Sequence, residues 1–205
     1  MLFRSMLQAQ LNPHFLCNTL DTMKWISKIN QVPQVALMST DLADILRFCI
    51  SPDEFVPLRR EVEILRRYME IQSIRLSGKC RLEVDMPPEL EECRVPKMIL
   101  QPIVENAVLH AKGATEIELR VRREGGLARF SVLDNGAGID PAVLPKLFEE
   151  MFPHAGELRG DGRRSMGIGL SVCMSIVRAH GGTMKAKNRA TGGACVSFVL
   201  PMGEE

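Results

Sequence analysis

The hydrophobic period changes near residue 80 of the 205, and that change limits what the chain can fold into. Up to about residue 75 the apolar positions recur at three- and four-residue intervals, the mark of amphipathic helices. Leu16, Leu20 and Met23 form one stripe, and Val35, Met38, Leu42, Ile45 and Cys49 a second. Val62, Leu65 and Met69 form a third. Residues 30–33 suit a short helix–helix connection, Ser51-Pro52-Asp53 breaks the second run, and Gly78 ends the third. From Cys80 the period is two. Cys80, Leu82, Val84 and Met86 alternate with Arg81, Glu83 and Asp85 until Pro87-Pro88 closes the strand. The expected division is a helical unit over 1–78 and a mixed unit over 79–205, the latter large enough for its own core. A short helical hairpin with wide apolar faces has little to bury against except a second copy, so a dimeric bundle is expected.

Composition narrows the class further. Lys+Arg 26 against Asp+Glu 25 leaves a net charge of +1, which argues against nucleic acid as a partner. Arg59-Arg60 and Arg66-Arg67 recur among acidic residues at helical spacing and read as a solvated face. The six cysteines form no Cys-x-x-Cys pair and have no histidine at metal-ligand spacing, so free thiols in a reducing cytosol are expected. No apolar run approaches the ~20 residues that span a bilayer. Residues 1–11, interrupted by Arg4, Gln8 and Gln10, do not read as a secretory leader. The expectation is a soluble cytosolic piece, with any membrane attachment lying in segments upstream of it.

Within the mixed unit, residues 96–111 read as a helix. Ile117, Leu119 and Val121, the Gly125-Gly126 turn, and Ala128, Phe130 and Val132 read as a hairpin. Residues 167–180 read as a helix, and 183–187 and 195–200 as strands. Three segments bear chemistry. On the first helix Glu105 and Asn106 are adjacent, and Asn106 and His110 share a face. An amide there is a reasonable Mg²⁺ ligand beside phosphate oxygens, although a polar outer face alone would produce the same pattern. Next comes Asp134-Asn135-Gly136-Ala137-Gly138, a carboxylate ending a buried strand before two glycines. It can take a hydrogen bond from a ligand amine while the glycines admit close backbone approach, or it can be a plain Asn-Gly turn. Last, Gly167-Ile168-Gly169-Leu170 opens a helix whose free N–H groups favour phosphate, or serves as a flexible joint. The loop ahead of it carries Arg159, Arg163, Arg164 and Ser165.

In this order the three segments resemble the nucleotide-binding fold of Bergerat-type ATPases, the group of gyrase, heat-shock chaperone ATPases, mismatch-repair ATPases and histidine kinases. The resemblance runs over residues 96–201, with His180-Gly181-Gly182 and the closing Phe198-Val199-Leu200-Pro201. It implies an α+β protein, a helical hairpin dimerisation domain followed by an α/β sandwich that binds ATP and Mg²⁺. Asn106 inherits the metal, Asp134 the adenine amine, and Gly136 and Gly138 the shaping of the adenine pocket. His110 joins Asn106 at the cofactor, and Gly167, Gly169 and Leu170 take the lid hinge and phosphate contact. Phe148 and Phe152 fall where histidine kinases carry aromatic residues ahead of the lid.

The segment Gln10-Leu11-Asn12-Pro13-His14-Phe15-Leu16 resembles the phosphoacceptor segment of sensor histidine kinases with an Asn-Pro-His-Phe motif, and 56–75 is similar to the same subfamily. The resemblance implies that His14 accepts the γ-phosphate on Nε2 and passes it to an aspartate of a response-regulator receiver domain. It also implies a parent anchored in the bacterial inner membrane. His14, Asn18 and Asp21 share one helix face. The larger branch has an acidic residue where Phe15 stands, so Glu105 or Asp21 becomes the candidate base. Leu109 and Ala194 stand where relatives often have a cation and a threonine. Two other readings stay open: an ATPase or serine kinase of the same fold, and a degenerate nucleotide sensor.

Overall fold

The computed structural model describes residues 12–75, 78, 80–148 and 168–202, which form two compact units. The first contains α1 (Pro13–Ile29), α2 (Pro33–Ile50) and the part of α3 (Leu58–Arg75) from Glu63 onward. Asn12 caps α1, its side-chain oxygen accepting from the N–H groups of His14 at 3.1 Å and Phe15 at 3.3 Å. Pro13 therefore marks the first turn of this helix, where its missing N–H costs nothing. Gln31, at φ 57°, turns the chain, and Pro33 opens α2.

Small side chains line the seam of this hairpin. Cys17 and Ser27 of α1, and Ala36, Ser39 and Ala43 of α2, are buried, and both serine hydroxyls donate to carbonyls one turn back. Arg47 reaches Asp21 at 2.7 Å across the seam, and Arg67 of α3 pairs with Asp41 at 3.1 Å and Asp44 at 3.0 Å. The sequence stripes are only partly turned inward. Ile45 is buried, whereas Met23, Leu37 and Leu42 are nearly half exposed, and Trp25, Ile26 and Ile29 more than half. Periodicity reveals that a helix has an apolar face but not which neighbour receives it; here close helix approach selects small residues and leaves large ones outside.

The second unit holds Phe55–Val62 and the chain from Lys79. This differs from the sequence division at 78, because β1 (Phe55–Pro57) pairs antiparallel with β3 (Arg94–Pro96). The first turn of α3 is tied to the same place, with Leu58 N–H donating to the Cys93 carbonyl at 2.8 Å and Arg59 N–H to that of Glu91 at 2.9 Å. A three-residue strand is too short to show a period.

The main sheet comprises β2 (Arg81–Asp85), β4 (Glu116–Glu124), β5 (Leu127–Asp134), β6 (Thr183–Asn188) and β7 (Ala194–Pro201), in the order β2-β4-β5-β7-β6. β2 and β4 are parallel and the other pairs antiparallel. One face carries Ile117, Leu119, Val121, Phe130, Val132 and Phe198, all buried. α4 (Gln101–His110) and α5 (Ile168–Ala179) pack on that face through Ile103, Val104, Leu170, Cys173 and Val177. The other face is charged, with Glu118, Arg120 and Arg122. The arrangement is α+β, with two helices over a mixed sheet. The helix expected over 96–111 begins later, since Pro96 still belongs to a strand and Met98 takes a positive φ of 65°. Among the described residues no helix is long and apolar enough to cross a membrane.

Register places Phe130 opposite Phe198, with their rings stacked at 4.6 Å and neither exposed by more than 1%. Phe130→Ala should destabilise the chain by about 3–5 kcal/mol through lost burial and a cavity the sheet cannot close. A shift of the urea midpoint below about 1 kcal/mol would show that this pair is not central to the core.

Candidate active site

The site lies in the second unit, where the end of β5 meets α4 and β7. A cavity of about 190 Å³ opens there. Ile103, Asn106, Ala107, His110 and Ala111 come from α4 and its end, Val132 and Asp134 from β5, and Ala194 and Val196 from β7. Gly138, Ile139, Asp140, Val143 and Leu147 line it from the loop after β5. Most of the wall is apolar, and the polar groups converge from α4, β5 and the loop after it, as in sites that hold a flat aromatic ligand by one or two directional bonds.

Asp134 is 6% exposed, a position a carboxylate tolerates only with partners. Its Oδ1 accepts from the Gly136 N–H at 2.9 Å and its Oδ2 from the Ala194 N–H at 3.3 Å. Each oxygen retains acceptor capacity, so the carboxylate can still take a hydrogen bond from a ligand amine. The loop after it is held with equal care. Gly136 lies against the end of α4, where a Cβ would come 3.0 Å from the Ala111 carbonyl carbon. The Asn135 side-chain oxygen accepts from the N–H groups of Thr115 and Glu116, at 2.9 and 3.1 Å.

The hairpin between β6 and β7 supplies residues that sequence reasoning missed. Asn188 pairs with the Ile139 main chain like a short strand, its amide accepting from the N–H and donating to the carbonyl, both at 2.7 Å. Arg189 donates to the Asp134 carbonyl at 2.5 Å. Gly193, at φ 82°, approaches so closely that a Cβ would fall 2.0 Å from the Asp134 carbonyl oxygen. No spacing in the sequence signals the closeness of Gly193 to Asp134, about sixty residues earlier.

Of the sequence-predicted residues, Asn106, His110, Asp134 and Gly138 line the cavity together. Glu105, half-buried, and Gly136 are not among its lining. Gly169 sits in the first turn of α5, where a Cβ would touch Pro102 of α4 at 3.4 Å, and Leu170 is a core residue at 2% exposure. Gly167, Phe152 and the arginines of the 155–166 loop lie outside the described residues. Phe148 is half-buried and lies next to Leu147, which does line the cavity. In the first unit His14 is exposed on the first turn of α1, with the Asn18 amide nitrogen 3.3 Å from Nδ1 and 3.5 Å from Nε2. Asp21 is engaged by Arg47 instead.

Among the described residues no cluster of three histidine, cysteine or carboxylate side chains could hold a metal by itself. A cation at Asn106 would therefore need further oxygens from a bound ligand.

Comparison with known proteins agrees with this geometry. The family model of the histidine kinase-, DNA gyrase B- and HSP90-like ATPases matches residues 94–204, and the histidine kinase model matches 4–80. The sensor histidine kinase YesM of Bacillus subtilis is 36% identical over 143 residues, 67% of this chain and 25% of YesM. The sensor histidine kinase YpdA of Escherichia coli is 31% identical over 72% of this chain and 27% of its own. The chain thus spans about a quarter of the length of these curated relatives. The catalytic domain of histidine kinase ThkA superposes with a TM-score of 0.55 at 23% identity, over 74% of this chain and 97% of that domain. The ATP-binding domain of PrrB from Mycobacterium tuberculosis does so at 0.51 and 21% identity, over 74% and 100%. The chain belongs to the histidine kinase-, DNA gyrase B- and HSP90-like ATPase family, as a sensor histidine kinase catalytic core.

Gly193→Ala should cost clearly more stability than Gly125→Ala. The latter, at φ 60° with open space around it, pays only conformational strain of about 1–2 kcal/mol. Gly193 adds a clash with the Asp134 main chain. Equal urea midpoints for the two variants would contradict the close approach.

Proposed function

We propose that this chain is the autokinase core of a two-component sensor, binding Mg²⁺-ATP in the cavity and phosphorylating His14. The observation that carries the proposal is the convergence of Asn106, His110 and Asp134 on one largely apolar cavity. Asp134 would receive the adenine amine, with Gly136 and Gly138 bringing the main chain to the ring. Asn106 would ligate the Mg²⁺ that screens the phosphates, with His110 one turn further along the same helix. Gly169 and Leu170, at the start of α5, and Gly167, ahead of them in sequence, would meet the phosphates.

The reaction places a neutral imidazole nitrogen of His14, Nε2 in this reading, in line with the γ-phosphorus. The N–P bond forms as the bond to the β–γ bridging oxygen breaks, and ADP leaves carrying that oxygen. Little covalent help is needed, because phosphoryl transfer depends on positioning and charge screening. Glu105 is the carboxylate assigned to proton traffic at the ring. The phosphoryl group would then pass to an aspartate of a receiver domain. The exposed apolar residues of α1 and α2, among them Trp25, Ile29 and Leu37, support a homodimer of the helical unit. Relatives four times as long are named sensors, which supports a cytosolic core attached, through segments beyond this piece, to a sensor anchored in the inner membrane.

Incubation with Mg²⁺ and γ-labelled ATP tests the reading. Acid-labile label should appear on the chain and be absent from His14→Gln. Label that persists on the variant or resists acid would mean a hydroxyl kinase, and nucleotide binding without label would mean a nucleotide sensor. At the nucleotide, Asp134→Ala should weaken ATP binding by about tenfold or more, the size of a lost hydrogen bond to a charged group. Asn106→Asp should lower labelling by at least about 100-fold with the fold retained, as expected for misplaced phosphates. Parental values in calorimetry and in labelling would remove these two assignments.

A further inference from the structure

A second buried carboxylate lies outside the cavity and grips the helix that carries Asn106 and His110. Glu61, in the first turn of α3, is 3% exposed and belongs to the second unit. Its Oε1 accepts from the Met98 N–H at 2.5 Å and its Oε2 from the Leu100 N–H at 3.3 Å. These residues form the turn that leads into α4, and this turn is short of local support. The N-cap position is Leu100, which makes no side-chain capping bond and has no oxygen to offer. Pro102 has no N–H, and the N–H groups of Ile103 and Val104 both fall back on the Leu100 carbonyl. A helix start leaves N–H donors and the positive end of its dipole unpaired, and an anion there is favourable. Glu61 supplies from α3 the cap that the local sequence lacks.

The same turn is held from a second side. Cys173 of α5 donates its thiol to the Ile99 carbonyl at 3.7 Å. Met98 stays at φ 65°, a region that residues with a Cβ seldom adopt and that persists only where surroundings over-determine it. Three elements therefore meet at Met98, Ile99 and Leu100, immediately ahead of the helix that lines the cavity.

We infer that Glu61 is a positioning residue: by capping α4 from α3 it sets where Asn106 and His110 stand, and hence how tightly the cavity holds a Mg²⁺-nucleotide. The effect on nucleotide rests on the function proposed above; the cap itself does not.

Burial raises the Glu61 carboxyl to about 7, against the pull of the Met98, Leu100 and Ile99 N–H groups and of Lys97. The other titratable group facing it, the Cys173 thiol, is pushed up to about 12 by its own burial and by the Glu61 charge, and stays protonated. Glu61 therefore changes its charge near neutral pH. Ionised, both of its oxygens accept; protonated, one becomes a hydroxyl and the grip loosens. The raised value also means that folding stability from Glu61 is full below the unfolded value of 4.5 and is lost as pH rises through about 7. Grip and global stability thus move in opposite directions with pH.

The test compares the chain with Glu61→Gln, measuring Mg²⁺-ADP dissociation constants and urea midpoints at about pH 5.5 and about pH 8, on either side of the titration. At the higher pH the variant should bind about fivefold more weakly, the effect of a lost helix cap. At the lower pH, where Glu61 is itself neutral, the two should agree. The urea midpoint of the parent, relative to the variant, should fall as pH rises. Contributions common to both proteins, those of the nucleotide phosphates among them, cancel in the comparison. Equal constants at the higher pH, or a deficit undiminished at the lower, would overturn the inference.

Amide hydrogen exchange over residues 98–104, without nucleotide, reads the cap directly and should be about fivefold faster in the variant at about pH 8. Unchanged exchange overturns the role whatever the nucleotide does. Altered exchange in a protein that binds no Mg²⁺-ADP leaves the cap standing and removes the nucleotide reading instead. If Glu61→Gln does not fold, the parent alone decides. Protection of that turn, corrected for intrinsic exchange, should rise through about 7, and a flat profile sinks the role.

Discussion

The burial of one carboxylate organises the second unit. Asp134 ends a strand in the sheet interior, where an ion is tolerated only if its oxygens are satisfied and its surroundings fixed. Its partners come from two places far apart in sequence, Gly136 just beyond it and Ala194 at the start of β7. To reach them the loop must lie against the end of α4, which explains glycine at 136. The β6–β7 hairpin must press on the Asp134 main chain, which explains glycine at 193. Asn188 and Arg189 then tie hairpin to loop. The cavity is the space left when these constraints are met together.

The same logic recurs at the start of α4. A helix carrying site residues needs a fixed beginning, and its own sequence offers leucine and proline where a capping side chain would normally stand. Tertiary contacts supply the missing group from α3 and a second hold from α5. The helix carrying Asn106 and His110 is thereby anchored at its N-terminal end by side chains from two other elements. Displacement of that helix would be felt in the cavity, because packed interiors transmit small shifts.

The helical unit works under a different constraint. Its seam is narrow, built from cysteine, serine and alanine, with the serine hydroxyls turned back on their own helices. The larger apolar residues, Trp25, Ile26, Ile29 and Leu37, are left facing outward. A monomeric domain rarely leaves so many on one hairpin, and a bundle with a second copy would give them a place to bury.

Much of this was legible from residues alone. The β4–β5 hairpin announced itself by alternation around Gly125-Gly126, the helices by their three-four spacing, and the family by three short segments in order. These signals are local, since strand pleat, helical turn and phosphate-binding backbone each need particular residues a few positions apart. Other features depend on residues distant in sequence meeting in space, and no spacing encodes them. The strand Phe55–Pro57 is too short to show a period and exists because Arg94–Pro96 lies beside it. Asn188, just past the strand read over 183–187, had no sequence signal for its pairing with the Ile139 main chain at 2.7 Å. Glu61 read as one more charge on a solvated helix, and became a buried cap only where α3 meets the start of α4. The sequence by itself determined the elements, their order and the chemistry available. The tertiary structure decided which faces meet and which polar groups share a cavity, because burial and desolvation act between neighbours in space, wherever they stand along the chain.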